Sequence, residues 1–267
     1  MPGRPEARGY LRHQSGSGFL RPPCTGVGPS TFYARGLYSY LTNDFDEWSG
    51  AELGWDGQVL PDVALGLTFH HEYREERATA LLARMTARLS GELYGHLGVV
   101  AGNSNYFFPA TGADLEFGAR LDAYSRNYFG LGGGFARYSL DRQFYHFGAR
   151  HLFWFEDDWG GEVQLGMGLL DTPDIDLRYE PFATLMITQG RPGDLQVQVG
   201  ASVSRSPDYD PGLPVLGTLE QTGIDATLGL KNWVSPRYGF LVQLQYGYLN
   251  NNYHRVGVDY AIFFQGP

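Results

Sequence analysis

Residues 194–204 read Asp194-Leu195-Gln196-Val197-Gln198-Val199-Gly200-Ala201-Ser202-Val203-Ser204, and every second side chain is apolar. Leu195, Val197, Val199, Ala201 and Val203 share one parity, while Gln196, Gln198, Gly200, Ser202 and Ser204 share the other. Successive side chains of a strand point to opposite faces, so this is a strand with one apolar and one polar side. It fits the surface of a soluble sheet. It also fits the wall of a transmembrane barrel, with lipid outside and water or polar groups inside. Most of the functional reading turns on that choice.

Composition narrows it. The chain has 267 residues, with 37 Gly, 18 Tyr and 17 Phe against only 20 Lys plus Arg. No run approaches the roughly 18 uninterrupted apolar residues of a spanning helix, which excludes a helical membrane protein. A net charge of −9 without a basic patch argues against nucleic acid as a partner. Cys24 is alone, so no internal disulfide framework and no cysteine-based metal site forms. No cofactor is expected.

Residues 1–29 carry Gly, Pro, Arg and Ser without periodicity and read as a disordered tail. They lack the apolar core of roughly 7–15 residues that marks a secretory signal. Cys24 follows Arg21, Pro22 and Pro23, the wrong residues for a lipoprotein cleavage site. Residues 265–267, Gln265-Gly266-Pro267, read as a tail or a protease-site remnant.

From Thr31 on, the alternation predicts about fourteen strands of about ten residues, the length with which a tilted strand crosses a bilayer. Short turns are predicted at Asp56-Gly57, Ser90-Gly91, Ser125-Arg126-Asn127, Asp157-Asp158, residues 191–194 and Ser235-Pro236-Arg237. Between them fall connections at 43–48, 74–77, 102–111, 139–143, 171–175, 206–219 and 250–252, several of them longer. Short periplasmic turns alternating with longer outer loops characterise outer-membrane barrels. A soluble sandwich would show shorter strands and more Lys and Glu on its solvent face. The expectation is an all-β, antiparallel up-and-down transmembrane barrel over residues 30–264, embedded in outer-membrane lipid and lipopolysaccharide.

Parity then sorts the side chains. Val63, Leu65, Leu67 and Phe69 face out, and Gly66, Thr68, His70 and Glu72 face in. Leu81, Ala83, Met85, Ala87 and Leu89 oppose Arg84, Thr86 and Arg88. The interior set gathers Arg35, Glu52, Asp56, His70, Glu72, Arg74, Arg84 and Arg88 from the first half of the chain. Asp114, Glu116, Arg120, Arg137, Arg150, Glu162, Asp225, Lys231, Arg255 and Asp259 join them from the second. Aromatics near strand ends, Trp48, Trp55, Trp154, Trp159, Trp233, Tyr238 and Tyr246, are expected as interfacial girdles.

The final strand combines Arg255, Gly257, Tyr260, Ile262 and Phe264 in the pattern polar-x-Gly-x-x-aromatic-x-apolar-x-aromatic. It resembles the C-terminal signal by which assembly machinery recognises outer-membrane barrels. Three further stretches resemble the YaiO family of outer-membrane β-barrels. They are residues 133–139 followed by 144–148, Arg191-Pro192-Gly193-Asp194 leading into 196–205, and residues 228–239 continuing to the terminal strand. Together they cover roughly the second half, with Phe135 where the family more often has Tyr. The resemblance implies a small barrel without enzymatic activity, in some members associated with exopolysaccharide or biofilm systems, and so polysaccharide export components as partners.

Interior charges admit two roles. They can form a paired network that fills the lumen, since buried charges need partners. They can instead ring a selective polar channel. The dense run His70-His71-Glu72-Tyr73-Arg74-Glu75-Glu76-Arg77 reads as a solvated extracellular hairpin tip. Asp44, Asp46 and Glu47, and Asp171, Asp174 and Asp176, read as ordinary acidic loops. An enzyme acting on lipid or peptide would need a nucleophile with a matched base, or paired acids, and no such motif is visible. A structural or adhesive barrel with a plugged lumen is the other alternative. The leading expectation is a non-enzymatic narrow pore or accessory barrel.

Overall fold

The structure is a computed structural model, which describes residues 30–42, 47–74, 76–103, 109–121, 127–138, 143–155, 159–172, 175–190, 195–205, 222–235, 237–249 and 253–266. Seven strands make up the first half: β1 (Thr31–Leu41), β2 (Trp48–Leu60), β3 (Val63–Arg74), β4 (Glu76–Ser90), β5 (Leu93–Asn103), β6 (Thr111–Arg120) and β7 (Asn127–Arg137). Seven more follow: β8 (Gln143–Phe155), β9 (Trp159–Thr172), β10 (Ile175–Gln189), β11 (Gln196–Arg205), β12 (Thr222–Trp233), β13 (Tyr238–Leu249) and β14 (Tyr253–Gln265). Each pairs antiparallel with the next, and β14 pairs with β1 from Thr31↔Gln265 to Leu41↔Arg255. The sheet is closed. Closure satisfies every strand edge internally, the condition for strands to cross hydrocarbon.

The two faces of the wall are inverted relative to a soluble protein. Outward Leu53, Leu67, Leu131, Leu165, Leu228 and Ile262 are 47–62% exposed. Inward Glu52, Thr68, His70, Arg150, Gln198 and Asp259 are buried. A continuous exposed apolar wall around a polar interior suits lipid and would aggregate in water. The soluble alternative falls on this observation, and the protein is an outer-membrane β-barrel.

Glycine and aromatic content find a joint explanation in the wall. A Cβ added at Gly36 would strike the Tyr260 ring, one at Gly54 the Tyr33 ring, and one at Gly161 the Phe153 ring. A ring laid over a cross-strand glycine fills the space its missing side chain leaves. Several of the glycines are thus seats for aromatic rings.

One end of the barrel carries the chain termini and short connections. Gly91 lies beyond β4 with φ +49°, a left-handed conformation that glycine adopts freely. Ser235 Oγ accepts hydrogen bonds from the backbone N–H groups of Arg237 and Tyr238, shaping the turn after β12. The turn predicted at Asp56-Gly57 is not there. Both residues lie inside β2, and the chain reverses at Pro61-Asp62, with Leu60 paired to Val63. The alternation simply continues through Asp56, whose carboxylate serves the lumen. The loop predicted over 74–77 shrinks likewise, because Tyr73 pairs Arg77 and Arg74 pairs Glu76. The connections read at 125–126, 157–158, 191–194 and 206–219, and the acidic residues Asp44, Asp46 and Asp174, lie outside the described residues.

Leu228, midway along β12, tests the lipid assignment. Leu228→Arg is expected to destabilise insertion by about 2–4 kcal/mol, the midplane cost of an arginine on a barrel's lipid face. The measurement is the urea midpoint for folding into lipid vesicles. An unchanged midpoint would mean that this face of β12 does not meet hydrocarbon.

Candidate functional site

The lumen has two unlike sides. On β13, β14, β1, β2 and β3 the polar side chains form one chain of contacts. Arg35 donates to Asp259 Oδ2 at 2.6 Å and to Glu52 Oε2 at 3.2 Å. Glu52 Oε1 lies 3.1 Å from His70 Nδ1, and His70 Nε2 lies 3.3 Å from Glu72 Oε2. Gln245 Nε2 donates to the same Asp259 oxygen at 2.7 Å. Register explains the order, because Arg35 sits opposite Glu52, and Glu52 opposite His70. All five charged or titratable members are nearly inaccessible, His70 completely so. The network bridges the very strands at which the barrel closes.

Other inward pairs brace the wall. Arg255 donates to Asp225 at 2.8 Å and lies 5.5 Å from the Trp48 ring centroid. Arg84 donates to Asp56 at 3.3 Å. Near the short-turn end Arg88 approaches Asp62 at 3.6 Å, and Arg120 approaches Glu92 at 3.9 Å while stacking 4.9 Å from the Tyr94 centroid. Buried Lys231 lies 5.8 Å from the centroid of Phe263.

The opposite side, β4 to β10, is built differently. Thr86, His96, Glu116, Gly132, Gly148, Gly166 and Phe182 stand in direct register on successive strands. Three consecutive glycines stand in this row: the Phe182 ring covers Gly166, and Gly132 and Gly148 leave a bare patch of backbone. Gly98, Gly134 and Gly168 extend it in the next row, where Arg84, Asp114 and His146 alternate with them. Gly118 and Gly130 continue it on the other side, next to Arg150 and Gln164. Glycine is unfavourable in a strand unless close approach demands it. Here a Cβ at Gly148 would lie 2.7 Å from the Leu165 carbonyl oxygen, and one at Gly132 2.8 Å from that of Leu115. Neighbouring strands approach closely at these positions, and the missing side chains hollow the wall. The concavity measures about 600 Å³ with its open mouth included.

Its rim is polar and internally balanced. Arg150 Nε lies 3.5 Å from Glu162 Oε1, and His146 Nε2 lies 3.5 Å from Asp114 Oδ1. Tyr128 donates to Glu116 Oε1 at 3.1 Å. His96 Nδ1 lies 2.8 Å from the Thr86 hydroxyl, while its buried Nε2 has no hydrogen-bond partner among the described residues. Such a group costs about 1–3 kcal/mol if it stays unsatisfied, and calls for an explanation. Among the described residues no three His, Cys, Asp or Glu side chains are grouped to hold a metal.

Several sequence expectations need correction. Arg137 does not join the lumen. It shares parity with Phe129, Leu131 and Phe135 and is exposed at the loop end of β7. Trp48 and Trp233 are not girdle residues, because their parity turns them inward: Trp48 is buried against Arg255, and Trp233 packs at 6.0 Å on Phe263. His70 and Glu72 are buried inside the wall, and only the far end of that run, where Arg74 pairs with Glu76, is the hairpin. Trp159, Tyr238 and Tyr246 do lie outward and exposed, and Trp55 has outward parity with partial exposure. Tyr260, Ile262 and Phe264 face out on β14, while Gly257 and Arg255 face in. The side chains of Arg74 and Trp154 lie outside the described residues.

No protein-family model matches the chain, and no curated protein sequence matches it. Solved structures do. A bacterial polysaccharide outer-membrane secretin aligns at TM-score 0.56 and 8% identity, covering 89% of this chain and 98% of its own. An outer-membrane channel from Pseudomonas putida F1 aligns at 0.54 and 10%, covering 91% and 98%. The outer-membrane protein Omp33 of Acinetobacter baumannii aligns at 0.54 and 11%, covering 89% and 98%. At such identities the likeness shows the shared fold: this chain has the architecture of Gram-negative outer-membrane barrels.

Removing Arg35 should expose how much the seam depends on its charges. Arg35→Ala leaves Glu52 and Asp259 buried without their cation, an expected loss of about 3–5 kcal/mol in urea unfolding. Arg35→Met combined with Glu52→Gln and Asp259→Asn should recover much of that loss. Equal midpoints for wild type and Arg35→Ala would show that the network does not brace the seam.

Proposed function

We propose that this barrel is a non-enzymatic envelope protein, a narrow polar pore or accessory barrel serving surface-polysaccharide export, and a relative of the YaiO family. The observation that carries the pore is the division of the lumen. One side is filled by the Arg35 network, and the other is hollowed by the Gly132, Gly148 and Gly166 row. A fourteen-strand barrel lies between filled eight-strand barrels and open porins in width. Filling only one wall leaves a reduced passage with balanced charge, suited to small polar solutes in single file rather than to bulk flow.

The polysaccharide link rests on the resemblance of residues 133–148, 191–205 and 228–239 to that family. The outward Tyr260-x-Ile262-x-Phe264 row supports recognition by barrel-assembly machinery. Outward Trp159 and Tyr238 support anchoring in lipid headgroups and lipopolysaccharide.

Planar-bilayer recording of the refolded chain tests the pore. Small, stable single-channel steps are expected. Arg84→Ala and Arg88→Ala, which remove partly accessible lumenal cations, should move selectivity toward cations by up to about fivefold, the effect of roughly 1 kcal/mol of coulombic energy. A barrel that shows the heat-modifiable mobility of a folded protein yet never conducts would overturn the pore and leave the accessory role.

A further inference from the structure

We propose that the concavity floored by Gly132 and Gly148 is a binding subsite for a neutral, hydroxyl-rich ligand, a saccharide unit. The inference rests on the reading of the lumen as open to polar solutes, and goes further by naming what the wall would hold.

Charge gives the first argument. The charged groups of the rim have close partners: Arg150 lies by Glu162, Arg84 by Asp56, and the Asp114 carboxylate by the His146 imidazole. A site for an anion or a cation presents an excess of the opposite sign, whereas this one presents balanced groups. Hydrogen-bonding capacity remains high all the same. Guanidinium, carboxylate, imidazole and the Gln164 amide border the same hollow. The guanidinium, carboxylate and amide groups can bind vicinal hydroxyls in pairs, because each offers two sites at matching spacing.

Shape gives the second. Phe182 closes one end of the glycine row, its ring lying over Gly166 and lining the hollow. An aromatic ring beside polar groups is the combination a pyranose requires: its C–H face packs on the ring while its hydroxyls reach the rim. The bare backbone of Gly132 and Gly148 lets a flat ring approach the wall closely.

The third argument is His96. Its Nδ1 is engaged by Thr86, which leaves Nε2 as a buried group without a partner in the row that forms the floor. A hydroxyl can both donate and accept, so it satisfies this nitrogen in either tautomer. Simple ions lack that versatility.

Isothermal titration calorimetry of the refolded full chain, in a detergent without a sugar headgroup, reads binding whether or not the barrel conducts. Maltotriose, cellotriose and the N-acetylglucosamine trimer are the probes, with glutamate and lysine as charged controls. At least one neutral trisaccharide should saturate in the millimolar range. Its affinity should fall about tenfold in His96→Ala and in Phe182→Ala, a factor typical of one lost polar or stacking contact. Should Phe182→Ala fail to fold, the nearly isosteric Glu116→Gln takes its place and should weaken binding in the same assay. Heat-modifiable mobility confirms that each variant is folded. The proposal is overturned if no neutral saccharide binds saturably, if the folded variants bind as wild type does, or if glutamate or lysine binds in preference. A silent bilayer recording beside positive calorimetry would refute the pore and leave the subsite standing.

Discussion

In hydrocarbon a backbone N–H or C=O has no water to turn to, so an open sheet edge costs several kilocalories per unsatisfied group. The chain meets this constraint at one place, the junction of β1 with β14, where eleven residues of each strand face each other in register. Every other pairing joins strands adjacent in sequence. The seam alone joins the two ends of the chain, and it has to be found across the largest separation in sequence. A buried polar network lies across it. Arg35 on β1 holds Asp259 on β14 and Glu52 on β2, so one guanidinium ties three strands together at the closure.

That placement divides the interior. Charges collected at the seam need partners within reach, and with Gln245, His70 and Glu72 they fill one wall. The opposite wall sets its charged groups in register with glycines, which leave room beside them. Outside, the same glycine economy seats rings: Tyr260 over Gly36 on the lipid face works as Phe182 does over Gly166 within. A barrel of this composition is therefore braced at its seam and hollow opposite, and the hollow is the passage that the proposed pore would use.

Much of the architecture was legible in the sequence, because period-two alternation survives any uncertainty about loops. Strand number and the direction of Arg35, Glu52, His70, Arg84 and Asp259 follow from parity alone. The errors share one cause, local signals allowed to outrank parity. Asp56-Gly57 has turn chemistry, yet the alternation runs straight through it to Pro61. Trp48 and Trp233 lie near strand ends, as girdle residues do, but their parity places them inside. Arg137 carries a charge, as lumenal residues do, but its parity places it outside. The glycine hollow was harder to see. Gly130-x-Gly132-x-Gly134 and Gly166-x-Gly168 are visible repeats of one parity, but only the register shows that Gly132, Gly148 and Gly166 adjoin.

The most direct test of the account is a disulfide across the seam. Ser39 and Gly257 face each other on β1 and β14, and a Cβ at Gly257 would lie 2.5 Å from Ser39 Oγ. Ser39→Cys with Gly257→Cys, in a background carrying Cys24→Ser, should cross-link on mild oxidation of the refolded protein. The boiled sample should then migrate as a looped chain, and reductant should abolish the shift. If the pair fails to cross-link while cysteines shifted by two residues along β14 do, the strands close in another register, and the Arg35 network as described does not exist.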